Sequence, residues 1–221
     1  MWSIQKNLAD LATPVAGLLV CLLFLMGASN PAQKLDPDTA RAEAQNLIQE
    51  TLDAVITVLK DPSLSSRQEQ DQIEQVAFAH FDFHTISRLV LARNWRRFSE
   101  KQRADFLAEF QRHLALTYGQ TLQSYKDEKI VVDRTRFEKN GDVTVRTKII
   151  GAAADPYLVD YRLRKRDGGW SVIDVIIESV SLVQNFRTQA QEIIADVGPD
   201  GLISQLHKKN DSQEQSGDQT S

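Results

Sequence analysis

Two aspartates, Asp160 and Asp174, are the side chains that the sequence places best for acid–base chemistry. Both lie in segments that alternate between apolar and polar residues, and paired carboxylates can act as general acid and general base. Arg162 and Arg164 follow Asp160 closely, so the same carboxylates also suit structural ion pairs. The sequence has no G-x-S-x-G motif, glycine-rich phosphate loop or H-E-x-x-H motif. Catalysis by Asp160 or Asp174 is therefore kept only as an alternative.

The four histidines offer little for a metal site. His80 and His84 have the four-residue spacing of a metal-binding pair, but only if one helix runs continuously between them. A catalytic zinc requires three protein ligands, and neither His113 nor His207 supplies the third at a suitable spacing. The sequence therefore predicts no metal and no other cofactor.

The N-terminal segment has the three parts of an export signal. Lys6 supplies positive charge, residues 15–26 are all apolar or glycine, and the small residues at 27–29 offer a cleavage site. The apolar stretch is short for a transmembrane helix, which needs about 20 residues. We therefore predict a signal peptide over residues 1–29 and a periplasmic protein. An uncleaved anchor is the alternative, and it leaves the compartment unchanged.

The composition beyond the signal excludes several classes of protein. Cys21 is the only cysteine and lies inside the apolar stretch, so the mature protein is expected to contain no disulfide and no thiol. A net charge of -4 argues against a nucleic-acid binder and against an anionic membrane surface as the main partner. Residues 30–209 suffice for one domain, and the polar residues 210–221 are predicted to be a disordered tail.

Helix signals occupy the first half of the domain and its end. Asp36-Pro37 predicts the start of one helix, and a further helix is expected over residues 81–98, ending near Trp95. Gly198-Pro199 is expected to end one helix before a last short one. Three more helix starts are predicted, at Ser66, Ser99 and Ser181. Each of these serines is followed three residues later by Glu or Gln, which is the pattern of a capping box.

The middle of the domain alternates with a period of two, which indicates strands. Turn signals at Asn140-Gly141 and at residues 167–169 separate consecutive segments of this kind. Four antiparallel strands are therefore predicted in a meander, near residues 129–138, 142–150, 156–166 and 170–178. The fold class is α+β, with the sheet packed against the helices.

A basic stretch surrounds Trp95. This stretch is suited to docking or to contact with a phosphate group. It is equally typical of a solvated helix end with no function in binding. Arg146 is predicted on the strand face opposite Val145 and Thr147, where it either points to solvent or rims a cavity. The basic stretch consists of Arg88, Arg93, Arg96 and Arg97.

Two long segments resemble the MlaC family, the periplasmic phospholipid-binding proteins of the Mla lipid-transport system, also described as toluene-tolerance auxiliary components. The segments are FDFHTISRLVLARNWRRFSEKQRADFLAEFQRHLALTYGQTLQSY and GGWSVIDVIIESVSLVQNFRTQAQEIIADVGPDGLISQL, and the resemblance spans about residues 36–209. The family usually has glycine where this chain has Ala92 and Ser179, and glycine at such positions suggests tight turns or close backbone approach. Matching positions include Phe81-Asp82, Leu91, Arg93, Trp95, Phe110, Tyr118, Trp170, Asp174, Ser181-Leu182-Val183, Phe186-Arg187, Gly198 and Gly201-Leu202-Ile203.

The resemblance implies a monomeric carrier that holds the acyl chains of a glycerophospholipid in an apolar pocket between a curved sheet and the helices. Its partners would be an outer-membrane lipoprotein–porin complex and an inner-membrane ABC transporter with an MCE-domain ring, and the shuttle would maintain outer-membrane lipid asymmetry. The residues expected to line the pocket are Leu114, Tyr118, Val145, Thr147, Tyr161, Leu163, Val175 and Ile177. Those expected at its rim or at a docking surface are Arg93, Arg96, Arg97 and Arg146. The alternatives are a cone-like α+β enzyme and a periplasmic adaptor that binds no ligand.

Overall fold

A computed structural model describes residues 35–123, 128–151 and 155–218 of the chain, without the side chains of residues 120–123, 217 and 218. The predicted signal peptide and Cys21 lie outside the described residues. Within them, no helix combines the length and the apolar character needed to cross a bilayer.

Local hydrogen bonds start the helices close to the positions that the sequence indicates. The Asp36 carboxylate accepts from the Thr39 amide at 2.8 Å, and the amide of Gln102 donates to Ser99 Oγ at 3.2 Å. The predicted capping box at Ser66 is wrong by one residue, because Ser65 has the extended backbone of a cap and exchanges hydrogen bonds with Gln68. The helices are α1 (Pro37–Leu59), α2 (Ser66–Phe78), α3 (Phe83–Leu91), α4 (Glu100–Gln123) and α5 (Leu182–Asp218).

The helix expected over residues 81–98 is shorter than predicted. It begins at Phe83, where the Asp82 carboxylate accepts from the Thr85 amide at 2.8 Å. It ends at Leu91, because Ala92 has a φ of 48° and cannot continue the helix. A 3₁₀ helix, Ala92–Arg97, follows.

The strands form one antiparallel sheet in the order β1-β2-β3-β4-β5, which confirms the predicted meander. The sheet has five strands rather than the predicted four. The fifth strand consists of two residues, which follow the predicted last strand and pair with it. Irregular register near Val132 and near Leu163 marks bulges, which bend a sheet. The strands are β1 (Lys129–Phe137), β2 (Val143–Ile150), β3 (Tyr157–Arg166), β4 (Gly169–Ile177) and β5 (Val180–Ser181).

Two apolar cores hold the domain together. One lies among α3, α4 and α5, and its largest members include Phe106, Phe110 and Ile194. The other joins α1 to the sheet, where small α1 residues such as Ala40 and Ala44 allow close approach to Val145. Phe81 contacts both cores and bridges to Val172 of β4. The α+β class predicted from the sequence is therefore confirmed.

The C-terminal segment corrects the prediction of a disordered tail. Gly198, with a φ of 72°, interrupts α5 where the sequence predicts a helix end, but the second part of α5 continues to Asp218. Asn210, the first residue of the predicted tail, is fully buried, and its amide donates to the Glu109 carbonyl at 2.9 Å. Arg112 of α4 also binds Asp211 and Glu214. Contacts with α4 therefore order a segment whose composition alone indicates disorder.

Candidate functional site

The register of the central strands gathers the six predicted sheet residues on one face, which we call the inner face. Val145 pairs with Tyr161, Tyr161 pairs with Val175, and Leu163 lies on the same face two residues further along β3. Thr147 and Ile177 complete the set, since both pair with Val159. The alternation of side chains along a strand predicts this grouping, and the structure brings these residues together.

Burial differs among the residues of the inner face. Val145 and Leu163 are fully buried beneath α1 and belong to the core between α1 and the sheet. Tyr161, Val175 and Ile177 are only partly buried. Thr147 and Val159 lie at the level of Ile177 and are buried, so the incomplete cover is on the β4 side of the face, which we call the half-covered side.

Thr147 and Tyr161 place two hydroxyls within this apolar surface. Thr147 is fully buried and donates to the carbonyl oxygen of Val159 at 3.1 Å. Burial raises the pKa of Tyr161 to about 12. A hydrogen bond with Thr147 acts in the opposite direction and lowers this pKa. Both hydroxyls are thus uncharged and satisfied within the protein, as an apolar surface requires.

Leu114 and Tyr118 project from α4 into a small apolar cavity of about 40 Å³ between α4 and α2. Ile73 and Phe78 of α2 also line this cavity, although the sequence analysis did not select them. The sequence signal for these two residues was the apolar stripe along an otherwise polar helix. None of the six sheet residues lines this cavity, so the structure forms two groups of the predicted lining residues.

An electrostatic influence, but no recorded contact between described residues, links the two groups. Burial raises the pKa of Tyr118, and the neighbouring Tyr157 at the start of β3 adds to the rise. Tyr157 is among the exposed large apolar side chains of the chain. The described part of α4 packs mainly against α2, α3 and α5 rather than on the sheet.

Arg146 lies on the opposite face of the sheet from Val145 and Thr147, as the alternation predicts. It donates two hydrogen bonds to Asp160, at 2.6 and 2.7 Å, and this pairing raises the pKa of Arg146. Asp160 is thus part of an ion pair between β2 and β3, which is the structural role that the sequence analysis left open.

The basic stretch around Trp95 is exposed. Arg93, Arg96 and Arg97 lie on the 3₁₀ helix, and Arg97 donates to the Asn94 side chain at 3.2 Å. Across residues 35–123, 128–151 and 155–218, no carboxylate pairs with these three arginines or with Arg88. Most arginines elsewhere in the described chain have such a partner. We call the four residues Arg88, Arg93, Arg96 and Arg97 the arginine patch.

The histidines do not form a metal site in the described part of the chain. His80 follows the end of α2 and His84 lies in α3, so no continuous helix aligns them. The His84 ring instead packs edge-on against Trp95, with 5.3 Å between the ring centres. No group of three or more metal-ligating side chains occurs among the described residues.

Comparison with known proteins identifies the family. The family model described as MlaC protein matches residues 49–208. The chain is 26% identical over 131 residues to the toluene tolerance protein ttg2D of Pseudomonas putida, covering 59% of this chain and 61% of that protein. It is 27% identical over 123 residues to the intermembrane phospholipid transport system binding protein MlaC of Haemophilus influenzae, covering 54% and 58%. The matched regions thus span about three fifths of these curated relatives.

A solved structure shares the fold. The phospholipid-binding protein from Ralstonia solanacearum, determined in complex with a phospholipid, superimposes with a TM-score of 0.71. The match covers 78% of this chain and 99% of that chain at 24% identity. Since the family model covers most of the domain and this neighbour has the same architecture, the chain belongs to the MlaC family.

Proposed function

We propose that this protein is a periplasmic carrier that binds glycerophospholipid by its acyl chains. The observation that carries the proposal is the half-covered side of the inner face, where Tyr161, Val175 and Ile177 are largely apolar but only partly buried. Membership of the MlaC family supports it, as does a neighbour of the same fold in complex with a phospholipid.

The physical case rests on where the free energy of binding arises. Each methylene removed from water contributes about 0.8 kcal/mol, so acyl chains bind strongly to an apolar surface. Against a bilayer the same transfer is nearly neutral, which lets a carrier both take up and release lipid without its own energy source. The bound acyl chains lie between the inner face and α4, beside Leu114 and Tyr118. The headgroup stays near solvent by the exposed Tyr157.

The same proposal assigns the protein a place between two membranes. It receives and delivers lipid at an outer-membrane lipoprotein–porin complex and an inner-membrane ABC transporter with an MCE-domain ring, and so maintains lipid asymmetry of the outer membrane. The arginine patch is the proposed docking surface, because its guanidinium groups lack carboxylate partners in the described part of the chain. The predicted signal peptide provides the route to the periplasm.

Lipid analysis of the purified protein tests the proposal. The full-length gene is expressed, the protein is purified from the periplasmic fraction, and its bound lipid is measured by native mass spectrometry and by solvent extraction. We expect phospholipid in stoichiometric amount. A protein that is folded but lipid-free, and that takes up no lipid from vesicles, would refute the carrier function and favour the adaptor.

Two adjacent isoleucines give a matched pair of variants for the site. Ile177→Glu places a charge on the inner face and should abolish lipid recovery, whereas Ile176→Glu places the same charge on the opposite face and should leave it intact. Val145 is unsuitable for this test, because it is fully buried against α1 and a glutamate there would unfold the domain. Equal lipid content in the two variants would show that the inner face is not the site.

A further inference from the structure

A second apolar cavity lies in the helical part of the domain, away from the proposed lipid site. Its volume is about 130 Å³, and α3, α4 and both parts of α5 contribute to its walls. None of the eight residues predicted to contact lipid lines it. Gln189, Gln205 and Lys209 are its polar lining residues besides His113, and all three are exposed, so the cavity has a route to solvent.

Three phenylalanines shape this cavity. Phe106 and Phe110 stack nearly parallel, with 5.5 Å between ring centres and 8° between ring planes. Phe186 meets Phe110 edge to face, at 5.0 Å and 83°. Aromatic rings prefer these two arrangements, so a further ring can pack against the same walls. An apolar cavity of about 150 Å³ is large enough to take up benzene, which makes a single six-membered ring the matching size.

His113 adds one polar group to the cavity. It is 2% exposed, and its Nδ1 lies 2.9 Å from the side-chain oxygen of Asn210. The Asn210 nitrogen donates to the carbonyl and to the carboxylate of Glu109, at 2.9 and 2.8 Å, so the orientation of the amide is fixed. The Asn210 oxygen must then accept from His113, which puts the ring proton on Nδ1 and leaves Nε2 as an acceptor.

The remaining nitrogen of His113 has no partner among the described residues. Burial lowers the pKa of His113, which keeps the ring neutral and Nε2 able to accept a hydrogen bond. Nε2 is not fully buried, so a ligand can reach it, and His113 is one of the residues that line the cavity. The cavity thus offers flat apolar walls and one unused acceptor.

We propose that this cavity binds a single-ring aromatic alcohol of the phenol class. The ring packs against Phe106, Phe110 and Phe186, and the hydroxyl donates to Nε2 of His113. Aliphatic side chains such as Leu202 and Leu206 also line the cavity. The proposal does not depend on the lipid-carrier function, because no residue that lines this cavity is among those proposed to contact lipid.

Titration of the purified protein with phenol tests the site, with toluene as the isosteric ligand that lacks the donor. Calorimetry should give saturable binding of phenol at one site, and long-range ¹H–¹⁵N spectra should show the Nδ1–H tautomer with Nε2 shifted by phenol but not by toluene. An absence of saturable phenol binding would overturn the proposal. So would a free-protein spectrum that shows the other tautomer.

Two alanines of α5 provide a matched pair that locates the ligand. Ala190 lines the cavity and Ala195 on the same helix is exposed and does not. Ala190→Leu fills the cavity and should abolish phenol binding, whereas Ala195→Leu should leave it unchanged. Phenol binding that survives Ala190→Leu would place the ligand elsewhere, for example in the lipid site, and would refute this one.

The role of His113 has its own readout. In His113→Phe, the ratio of the toluene Kd to the phenol Kd should fall about tenfold, because only phenol loses a hydrogen bond. An unchanged ratio would refute the hydrogen bond. If this variant does not fold, the response of Nε2 to phenol in the unaltered protein decides the same question.

Discussion

The carboxylate of Asp174 accepts a hydrogen bond from the hydroxyl of Ser181 at 2.7 Å, which joins β4 to the residue that precedes α5. The same carboxylate accepts from the Val183 amide at 3.1 Å, and Ser181 accepts in turn from the Gln184 amide at 3.0 Å. Asp174 is 4% exposed. Both of its oxygens therefore bind structural donors, and this use of the carboxylate disfavours the enzyme alternative.

Replacement of Asp174 should destabilise the fold. Asp174→Ala leaves the Ser181 hydroxyl and the Val183 amide without their acceptor, so the free energy of unfolding should fall by about 2 kcal/mol. Urea denaturation measures the change. Asp196→Ala, at an exposed position of α5, is the control and should change stability by less than about 0.5 kcal/mol. Equal effects of the two substitutions would contradict the structural role.

Glycine at two strained positions should stabilise the protein. Ala92 has a φ of 48° and Ser179 a φ of 71°, and both values lie in the left-handed region that favours glycine. Such a conformation costs a non-glycine residue about 1–3 kcal/mol, and glycine relieves it while increasing the entropy of the unfolded chain. Ala92→Gly and Ser179→Gly should therefore each raise the free energy of unfolding by about 1 kcal/mol.

A glycine in an ordinary helical position is the control for this strain. Ala104 lies at an exposed position within α4, and Ala104→Gly should lower the free energy of unfolding by about 1 kcal/mol. If Ala92→Gly raises the free energy of unfolding and Ala104→Gly lowers it, the local backbone conformation, rather than loss of the side chain, determines the change in stability. Destabilisation by all three glycines would show that the positive-φ positions are not strained.

Local chemistry explains which parts of the fold could be predicted from the sequence. Strand alternation placed Val145 and Tyr161 on one face, and the cap at Ser99 was evident from Gln102 three residues later. The order of the C-terminal segment was not evident, because Asn210 is buried by contacts with α4, about a hundred positions away in the chain. Composition reports local tendencies, whereas such contacts form only once the helices have packed.

The candidate site shows the same division between local and distant information. Periodicity assigned Thr147 and Ile177 to the inner face, but it could not show that α1 covers Val145 completely while Ile177 stays partly exposed. That difference depends on the small side chains of α1, Ala40 and Ala44 among them, which bring this helix close to one end of the sheet. Side-chain alternation along a strand carries no information about which helix covers it.

Tyr161 should make the protein sensitive to alkali. Its folded pKa of about 12 lies above the ordinary value of 10, so its contribution to stability is complete below pH 10. The contribution is lost as pH rises from about 10 to about 12, by about 2 kcal/mol. Urea denaturation across this range should show a smaller loss for Tyr161→Phe, which cannot ionise. Identical pH profiles for the two proteins would refute the burial of this phenol.

The C-terminal part of α5 should contribute to stability through Asn210. Asn210→Ala removes the donor to Glu109 and the acceptor of His113, so the free energy of unfolding should fall by about 1–3 kcal/mol. A chain that ends at residue 209 should lose at least as much, since it also lacks the acidic partners of Arg112. Removal of residues 217–221 alone is the control and should have no effect. A fully stable chain ending at residue 209 would support the disordered tail predicted from the sequence.

If the arginine patch is the docking surface proposed above, it should control how fast the protein associates with the proposed transporter complex. In the double variant Arg93→Glu and Arg96→Glu, association with the purified inner-membrane transporter complex should slow about tenfold at low salt, because charge complementarity acts mainly on the association rate. The difference between variant and unaltered protein should shrink as ionic strength rises, since salt screens exposed charges beyond about 10 Å at 0.1 M.

Two controls separate docking from lipid binding. Lipid content of the double variant should match that of the unaltered protein, because the exposed arginines of the 3₁₀ helix do not line the inner face. Arg134→Glu reverses the charge of an exposed arginine on β1 and should leave the association rate within about twofold. If Arg134→Glu slowed association as much as the double variant, net charge rather than the arginine patch would govern the encounter. If neither variant slowed it, docking would have to use another face of the domain.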